Sequence, residues 1–313
     1  MIIMKHKTQF YIAIITGILL FGNQSFAQKK WPGEVIYFID INGLSTKFII
    51  DPVVRIAKDK FSYPVPTPPE AFDAQNADSV LGWYFNRFCK EEYPKGRKLD
   101  LFIDGNKCGI VKLTQLDTLH SCSPVVSEVQ IIYTDSANLH FTGHGLVIPA
   151  TKPKRTILNF PLDSITENSL YVYAQNEFLR HGINKELIKR MEAKDVRVVD
   201  IDGDGKPEYL ASYMIIGEEV KRGDYEPNMQ YSLAMILKPT ADGGFQQLFS
   251  NYPEPGIPDE SYYYRFGDVI DLDNDGNCEV VVQKRNYSSW SYILLKKKGN
   301  VWVQVYEGAG GGC

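Results

Sequence analysis

Asp200-Ile201-Asp202-Gly203-Asp204-Gly205-Lys206-Pro207-Glu208 returns 71 positions later as Asp271-Leu272-Asp273-Asn274-Asp275-Gly276-Asn277-Cys278-Glu279. Both stretches spell D-x-D-x-D-G-x-x-E. Carboxylates at positions one, three, five and nine converge only if the chain curls sharply about a centre, and the glycine at position six permits the curl. Carboxylates crowded into one turn repel one another unless a cation sits among them. A ring of hard oxygen ligands suits Ca²⁺, so two ions are expected, one per loop. The predicted ligands are the side chains of Asp200, Asp202, Asp204 and Glu208 with the Lys206 carbonyl, then Asp271, Asp273, Asp275 and Glu279 with the Asn277 carbonyl. Water would complete each shell.

The match runs past the loops. Ile236-Leu237, Phe245, Leu248 and Phe249 return 57 positions on as Ile293-Leu294, Trp302, Val305 and Tyr306, which leaves 14 extra residues in the first copy, most simply around Glu218 to Pro227. Each copy reads strand, acidic loop, strand, hairpin, the content of one propeller blade. Neither loop carries the acid that an EF-hand places at position twelve, since Ala211 and Val282 stand there, and apolar alternation follows instead of a helix. The ion is therefore expected to clip a strand-loop-strand unit.

These loops, with the apolar strands Glu208-Tyr209-Leu210 and Glu279-Val280-Val281-Val282 behind them, resemble the FG-GAP/VCBS repeats of integrin-type β-propellers. Phe266-Gly267 ahead of the second loop matches the dipeptide that names the repeat, whereas the first copy has Lys194-Asp195 in that region. Position nine is Glu in both copies where Asp is usual in the family. The resemblance covers about Val196 to Tyr306 and implies Ca²⁺-binding blades without implying an activity. Two blades do not close a propeller of typically four to eight. Either the N-terminal half supplies divergent blades, or the repeats form a reduced β-structure on a separate domain.

Ahead of the repeats the expected fold is mainly β with a few short helices. Val35 to Ile39 and Phe48 to Ile50 flank Asn42-Gly43, and Leu101 to Ile103 and Ile110 to Leu113 flank Asp104-Gly105-Asn106, both hairpin signatures. Pro64 to Pro69 reads as a connector into a helix from about Ser79 to Lys90, with Val80, Leu81, Tyr84, Phe85 and Phe88 on one face. Helices from about Ser169 to His181 and from Lys185 to Glu192 are expected to bridge the halves. The organisation read from these signals is a signal peptide over 1–27, a β-rich domain with one helix over 28–160, a helical bridge over 161–195, and a two-repeat Ca²⁺-binding module over 196–313.

The leader assignment rests on Lys5 and Lys7 before a short apolar run from Phe10 to Phe21 and on the small residues Ser25 and Ala27 before Gln28. It predicts an exported protein, periplasmic or extracellular, without membrane insertion after cleavage. Cleavage removes two of the 34 basic residues and no acid, so 32 stand against 38 acids, a net charge of −6 that argues against nucleic acid as a partner. Lys296, Lys297 and Lys298 are expected in a solvated hairpin turn. In an oxidising compartment the five cysteines, Cys89, Cys108, Cys122, Cys278 and Cys313, predict up to two disulfides, with Cys313 tethering the glycine tail Gly308 to Gly312.

Catalytic motifs are missing: there is no Gly-x-Ser-x-Gly elbow, His-Glu-x-x-His pair or phosphate-cradling glycine loop. His140 and His144 share one face of a strand without a third ligand nearby, which reads as ordinary surface or core histidines. Tyr262, Tyr263, Tyr264, Tyr287 and Trp290 can stack on a sugar ring or fill a β-core. The leading expectation is a non-enzymatic, Ca²⁺-stabilised binding protein for an unknown protein or glycan. The alternative is a secreted, glycan-acting hydrolase with its active site in the N-terminal half, since paired carboxylates leave no short motif.

Overall fold

The structure, a computed structural model, describes residues 30–41, 48–58, 60–71, 73, 75–116, 125–133, 143–149, 157–219, 228–257 and 261–312. The expected leader, Asn42-Gly43, His140, Cys122 and Cys313 lie outside them.

The N-terminal half does not form blades. Strands β1 (Glu34–Ile41), β2 (Phe48–Ala57), β4 (Lys98–Ile103), β5 (Asn106–Leu116), β6 (Ser127–Tyr133) and β7 (Gly143–Ile148) close into an antiparallel barrel in the order β1-β7-β4-β5-β6-β2, with β1 pairing β2 and a short β3 (Lys60–Ser62) added on β2. Alternation sorts its side chains. Ile36, Phe38, Phe102, Leu146 and Ile148 pack outward against the second repeat, so Tyr37, Ile39, Leu101 and Val147, also buried, turn the other way into the barrel. The β4–β5 turn is built as expected, with Asp104 and Gly105 both at positive φ (50° and 70°). A glycine is needed there twice over, because a Cβ on Gly105 would lie 2.1 Å from Ile157.

Helix α1 (Ala77–Glu92) starts two residues before the expected Ser79 and buries only Phe88, Cys89 and Glu92. Tyr93, just after it, contacts both Phe88 and the barrel's Tyr37. Glu92 meets Arg55 at 3.1 Å and Arg97 at 2.9 Å, an ion cluster whose Arg55–Glu92 pair is almost wholly buried. Helix α2 (Ser164–Arg180) begins five residues before the predicted Ser169 because Asp163 caps it, accepting from the Thr166 amide at 2.8 Å. Helix α3 is one turn, Lys185–Ile188, not a helix reaching Glu192, since the first repeat's strand β8 already starts at Met191.

Each repeat is a four-stranded antiparallel sheet. The first is β11-β10-β9-β8, from β8 (Met191–Val199), β9 (Glu208–Glu219), β10 (Asn228–Pro239) and β11 (Phe245–Asn251). The second is β12-β13-β14-β15, from β12 (Tyr263–Ile270), β13 (Glu279–Arg285), β14 (Ser289–Lys298) and β15 (Val301–Gly312). Register corrects the repeat alignment by one residue. Tyr209 pairs with Leu237 and its counterpart Val280 with Leu295, so third strands correspond at an offset of 58 and the first copy holds 13 extra residues up to that strand, not 14. A slip of one position exchanges sheet faces, so the offset matters.

With that offset the packing becomes regular. Val199, Ile201, Leu210 and Ile236 of the first sheet pack on the second sheet, and their counterparts Ile270, Leu272, Val281 and Leu294 pack on the barrel. Tyr209, Ala211 and Leu237 face α2 through Leu170, Ala174 and Phe178, and their counterparts Val280, Val282 and Leu295 face the first sheet. The sheets thus stack front to back, in the order α2, first repeat, second repeat, barrel.

The glycine-rich C-terminus is not a loose tail. Gly308 to Gly312 run inside β15, paired with Ser289–Tyr292 of β14. Gly310 has φ 118°, and a Cβ there would sit 2.0 Å from the Trp290 carbonyl, so strand approach demands the glycine.

Candidate metal centres

The two acidic sequences form the β8–β9 and β12–β13 turns, at equivalent corners of the two sheets. Position one is buried and organises the turn: Asp200 Oδ1 accepts from the Gly203 amide at 2.5 Å and Oδ2 from Gly205 at 3.1 Å, as Asp271 Oδ2 accepts from Gly276 at 3.1 Å. Two positions require left-handed backbone. Position six is Gly205 or Gly276 (φ 79° and 97°), and position four is Gly203 or Asn274 (φ 81° and 60°).

The remaining carboxylates divide their oxygens in the same way in both copies. Asp202 Oδ1, Asp204 Oδ1 and Glu208 Oε2 accept from the amides of Asp204, Lys206 and Ile201. Asp273 Oδ1, Asp275 Oδ1 and Glu279 Oε2 accept from Asp275, Asn277 and Leu272. The other oxygens converge. Asp202 Oδ2, Asp204 Oδ2 and Glu208 Oε1 lie 2.9, 2.8 and 2.8 Å from Lys238 Nζ, and Asp273 Oδ2, Asp275 Oδ2 and Glu279 Oε1 lie 2.6, 2.8 and 2.9 Å from Lys296 Nζ.

Both lysines come from the third strand of their own sheet; in the second, Lys296 stands directly opposite Glu279. Lys297 crosses between repeats, its Nζ 2.9 Å from Asp202 Oδ2. Lys296 and Lys297 therefore belong to β14 and to the acidic loops, which corrects the expectation of a solvated turn for them. Sequence reasoning missed Lys238 altogether and gave Lys296 no part in the acidic loops. The signal was available: once the third strands are aligned at the correct offset, a lysine recurs at the same place in each copy.

The acids of each ring titrate differently. Burial raises Asp202, but hydrogen bonds from Lys238 and Lys297 outweigh it and hold its carboxyl down at about 2. Glu208 and Glu279 are nearly inaccessible, and their burial outweighs the same kind of lysine bond, so both are raised, Glu279 to about 7. Glu208 Oε1 and Glu279 Oε1 lie beside an ammonium yet make no hydrogen bond in satisfactory geometry. In each loop, ligand atoms from Asp200, Asp202 and Glu208, or Asp271, Asp273 and Glu279, lie within 4.8 Å of one another, so each triad can hold a metal ion. Asp202 and Glu208, or Asp273 and Glu279, belong both to the triad and to the lysine's ring, so an ammonium already stands as a cation against two of the three acids. The predicted ligands Asp204 and Asp275 join the ring but not the triad.

The other sequence candidates disperse. Cys89, Cys108 and Cys278 are buried, and no two of these described cysteines lie within disulfide distance, so they do not staple the chain to one another. Burial raises Cys89 to about 11 and Cys108 to about 12, which leaves both unreactive. Tyr264 is buried between the sheets, Trp290 Nε1 donates to Asp51 Oδ2 at 2.5 Å, and Tyr287 is exposed, so these aromatics form no common platform. No helix among the described residues is long and apolar enough to cross a membrane. Neither a family model, nor a curated protein, nor a solved structure matches the chain.

Proposed function

We propose that the protein is an exported, non-enzymatic binding protein of the FG-GAP/VCBS-repeat kind, whose two acidic loops take Ca²⁺ and brace two stacked repeats that present a surface to a protein or glycan. The observation that carries this reading is the duplicated ring of pre-aimed carboxylate oxygens, identical atom for atom in the two loops. Each ring already binds one cation, the lysine ammonium. A divalent ion would supply a second charge there and cross-link the turn to its two strands. Oxygen-only ligands and the lack of any histidine or thiolate in the ring favour Ca²⁺ over Zn²⁺ or copper. The carbonyls of Lys206 and Asn277 complete the proposed ligand sets.

Extracellular Ca²⁺ modules bind at roughly 10⁻⁴ to 10⁻³ M. At about ten times its dissociation constant, an ion stabilises the folded state by about 1.4 kcal/mol per site. Millimolar Ca²⁺ is therefore expected to raise the melting temperature, with Asp202→Ala and Asp273→Ala each removing part of the rise and Asp100→Ala, on the barrel, leaving it intact. Calorimetry silent at millimolar Ca²⁺, together with a melting temperature indifferent to EDTA, would end the proposal. A protein and glycan pull-down with and without EDTA then tests the partner.

A further inference from the structure

The barrel, β8 and β12 enclose a polar cleft of about 380 Å³ to which the acidic loops do not contribute. Its walls carry Arg265 from the second repeat, Lys194, Asp195 and Arg197 from the first, and Asp104 and His144 from the barrel. His144 is held on three sides. Nε2 lies 2.7 Å from the Phe266 carbonyl and 3.3 Å from Asp195 Oδ2, while Nδ1 faces Arg265 Nη2 at 3.0 Å. Because a guanidinium only donates, Nδ1 must accept, which places the ring proton on Nε2 and makes the histidine a neutral strut that aims Arg265.

Among the described residues Arg265 makes one other hydrogen bond, at 3.3 Å to Asp40, a half-exposed carboxylate that a ligand can displace. Arg197 bonds Asp104 and the Gly267 carbonyl through Nη1 and Asp195 through Nε. Arg265 Nε and Arg197 Nη2 have no hydrogen-bond partner among the described residues. Lys194 is paired with Glu192 at 2.7 Å, so the two arginines are the cations of these walls that keep spare donors. Rigid guanidinium forks fixed on separate strands, with donors to spare, match the paired oxygens of a carboxylate or phosphate.

We propose that this cleft binds a small oxyanion, the carboxylate or phosphate group of a small molecule, through Arg265 and Arg197. The test is a titration of protein freed of divalent metal by dialysis over a chelating resin, at low chloride and without soluble chelator, so that it is independent of the metal loops, with inorganic phosphate, malonate and neutral glycerol followed by calorimetry. Phosphate or malonate should bind at millimolar concentration or tighter, with Arg265→Met weakening it by at least about tenfold. Lys284→Met, on β13 and outside the cleft, should not weaken it. Response to malonate alone assigns a carboxylate, and response to phosphate alone assigns a phosphate. Arg197→Met should act like Arg265→Met; should it unfold the chain, Arg265→Met alone decides. No binding of either anion at about 20 mM, equal binding of glycerol, or full binding by Arg265→Met overturns the proposal.

Discussion

Replacing Lys296 with Met removes the cation of the second loop while keeping most of the side-chain bulk. Lys296 Nζ touches three carboxylate oxygens, and the innermost belongs to Glu279, which has no measurable exposure. A buried charge stripped of its partner costs about 3 to 5 kcal/mol. Asp275 is well exposed and loses little, so the lower end applies: in EDTA at about pH 8 the variant should lose about 3 kcal/mol, equivalent to about 6 °C or more in melting temperature. Saturating Ca²⁺ should reverse the sign. The ion then enters a ring with no ammonium to displace, so the variant should bind Ca²⁺ more tightly than the natural chain and recover most of the lost stability. Calorimetric melting in EDTA and in about 5 mM CaCl₂, above the usual range for such modules, reads both effects. An unchanged melting temperature in EDTA would show that the lysine does not neutralise the ring. An equal loss with and without Ca²⁺ would show that the ring does not take the ion in its place.

Other perturbations probe the surrounding structure. Gly276→Ala meets open space but must hold φ near 97°, so it should cost about 1 to 2 kcal/mol by denaturant unfolding; no loss would mean that the turn relaxes. Asp51 is raised from an ordinary 3.8 to about 6, by burial against which the Trp290 and Tyr292 hydrogen bonds only partly work. The folded state then holds this proton more tightly than the unfolded one, so Asp51's contribution to stability falls as pH rises from about 4 to about 6. Asp51→Asn abolishes that fall, and its stability relative to the natural chain should improve by about 3 kcal/mol between about pH 4 and pH 7; a difference independent of pH would refute the assignment. Glu92→Gln withdraws the carboxylate that faces Arg55 and Arg97, with an expected loss of about 3 kcal/mol, and a variant as stable as the natural chain would contradict the buried pair.

The acidic turns were legible because their chemistry is local: three carboxylates, a glycine and a glutamate within nine residues fix both the curl and the direction of the oxygens. The β4–β5 hairpin was legible for the same reason, through Asp104-Gly105. The β1–β2 pairing was legible too, through the strands that flank Asn42-Gly43, but barrel closure was not, because it depends on β1 also pairing with β7, which lies far along the chain and carries no turn signal. Gly308 to Gly312 misled because composition suggests a flexible tail, whereas the close carbonyl of Trp290 is visible only once β14 and β15 are paired. The cleft was invisible for a related reason: His144, Arg197 and Arg265 come from three strands and Asp104 from the β4–β5 turn, and no local pattern brings the four together.

The front-to-back stacking has a consequence for how such a chain can grow. In the vocabulary of assemblies it is a heterologous contact, one that does not complete itself and continues until something unlike the unit stops it. Here α2 stops one end and the barrel the other. A third unit inserted between the existing two would find on either side the faces it needs, Leu210 and Ile236 ahead or Val280 and Leu295 behind, without any change to the stoppers. Number is therefore set by what ends the stack rather than by the repeat itself, and a short pile of two can persist without closing into a ring.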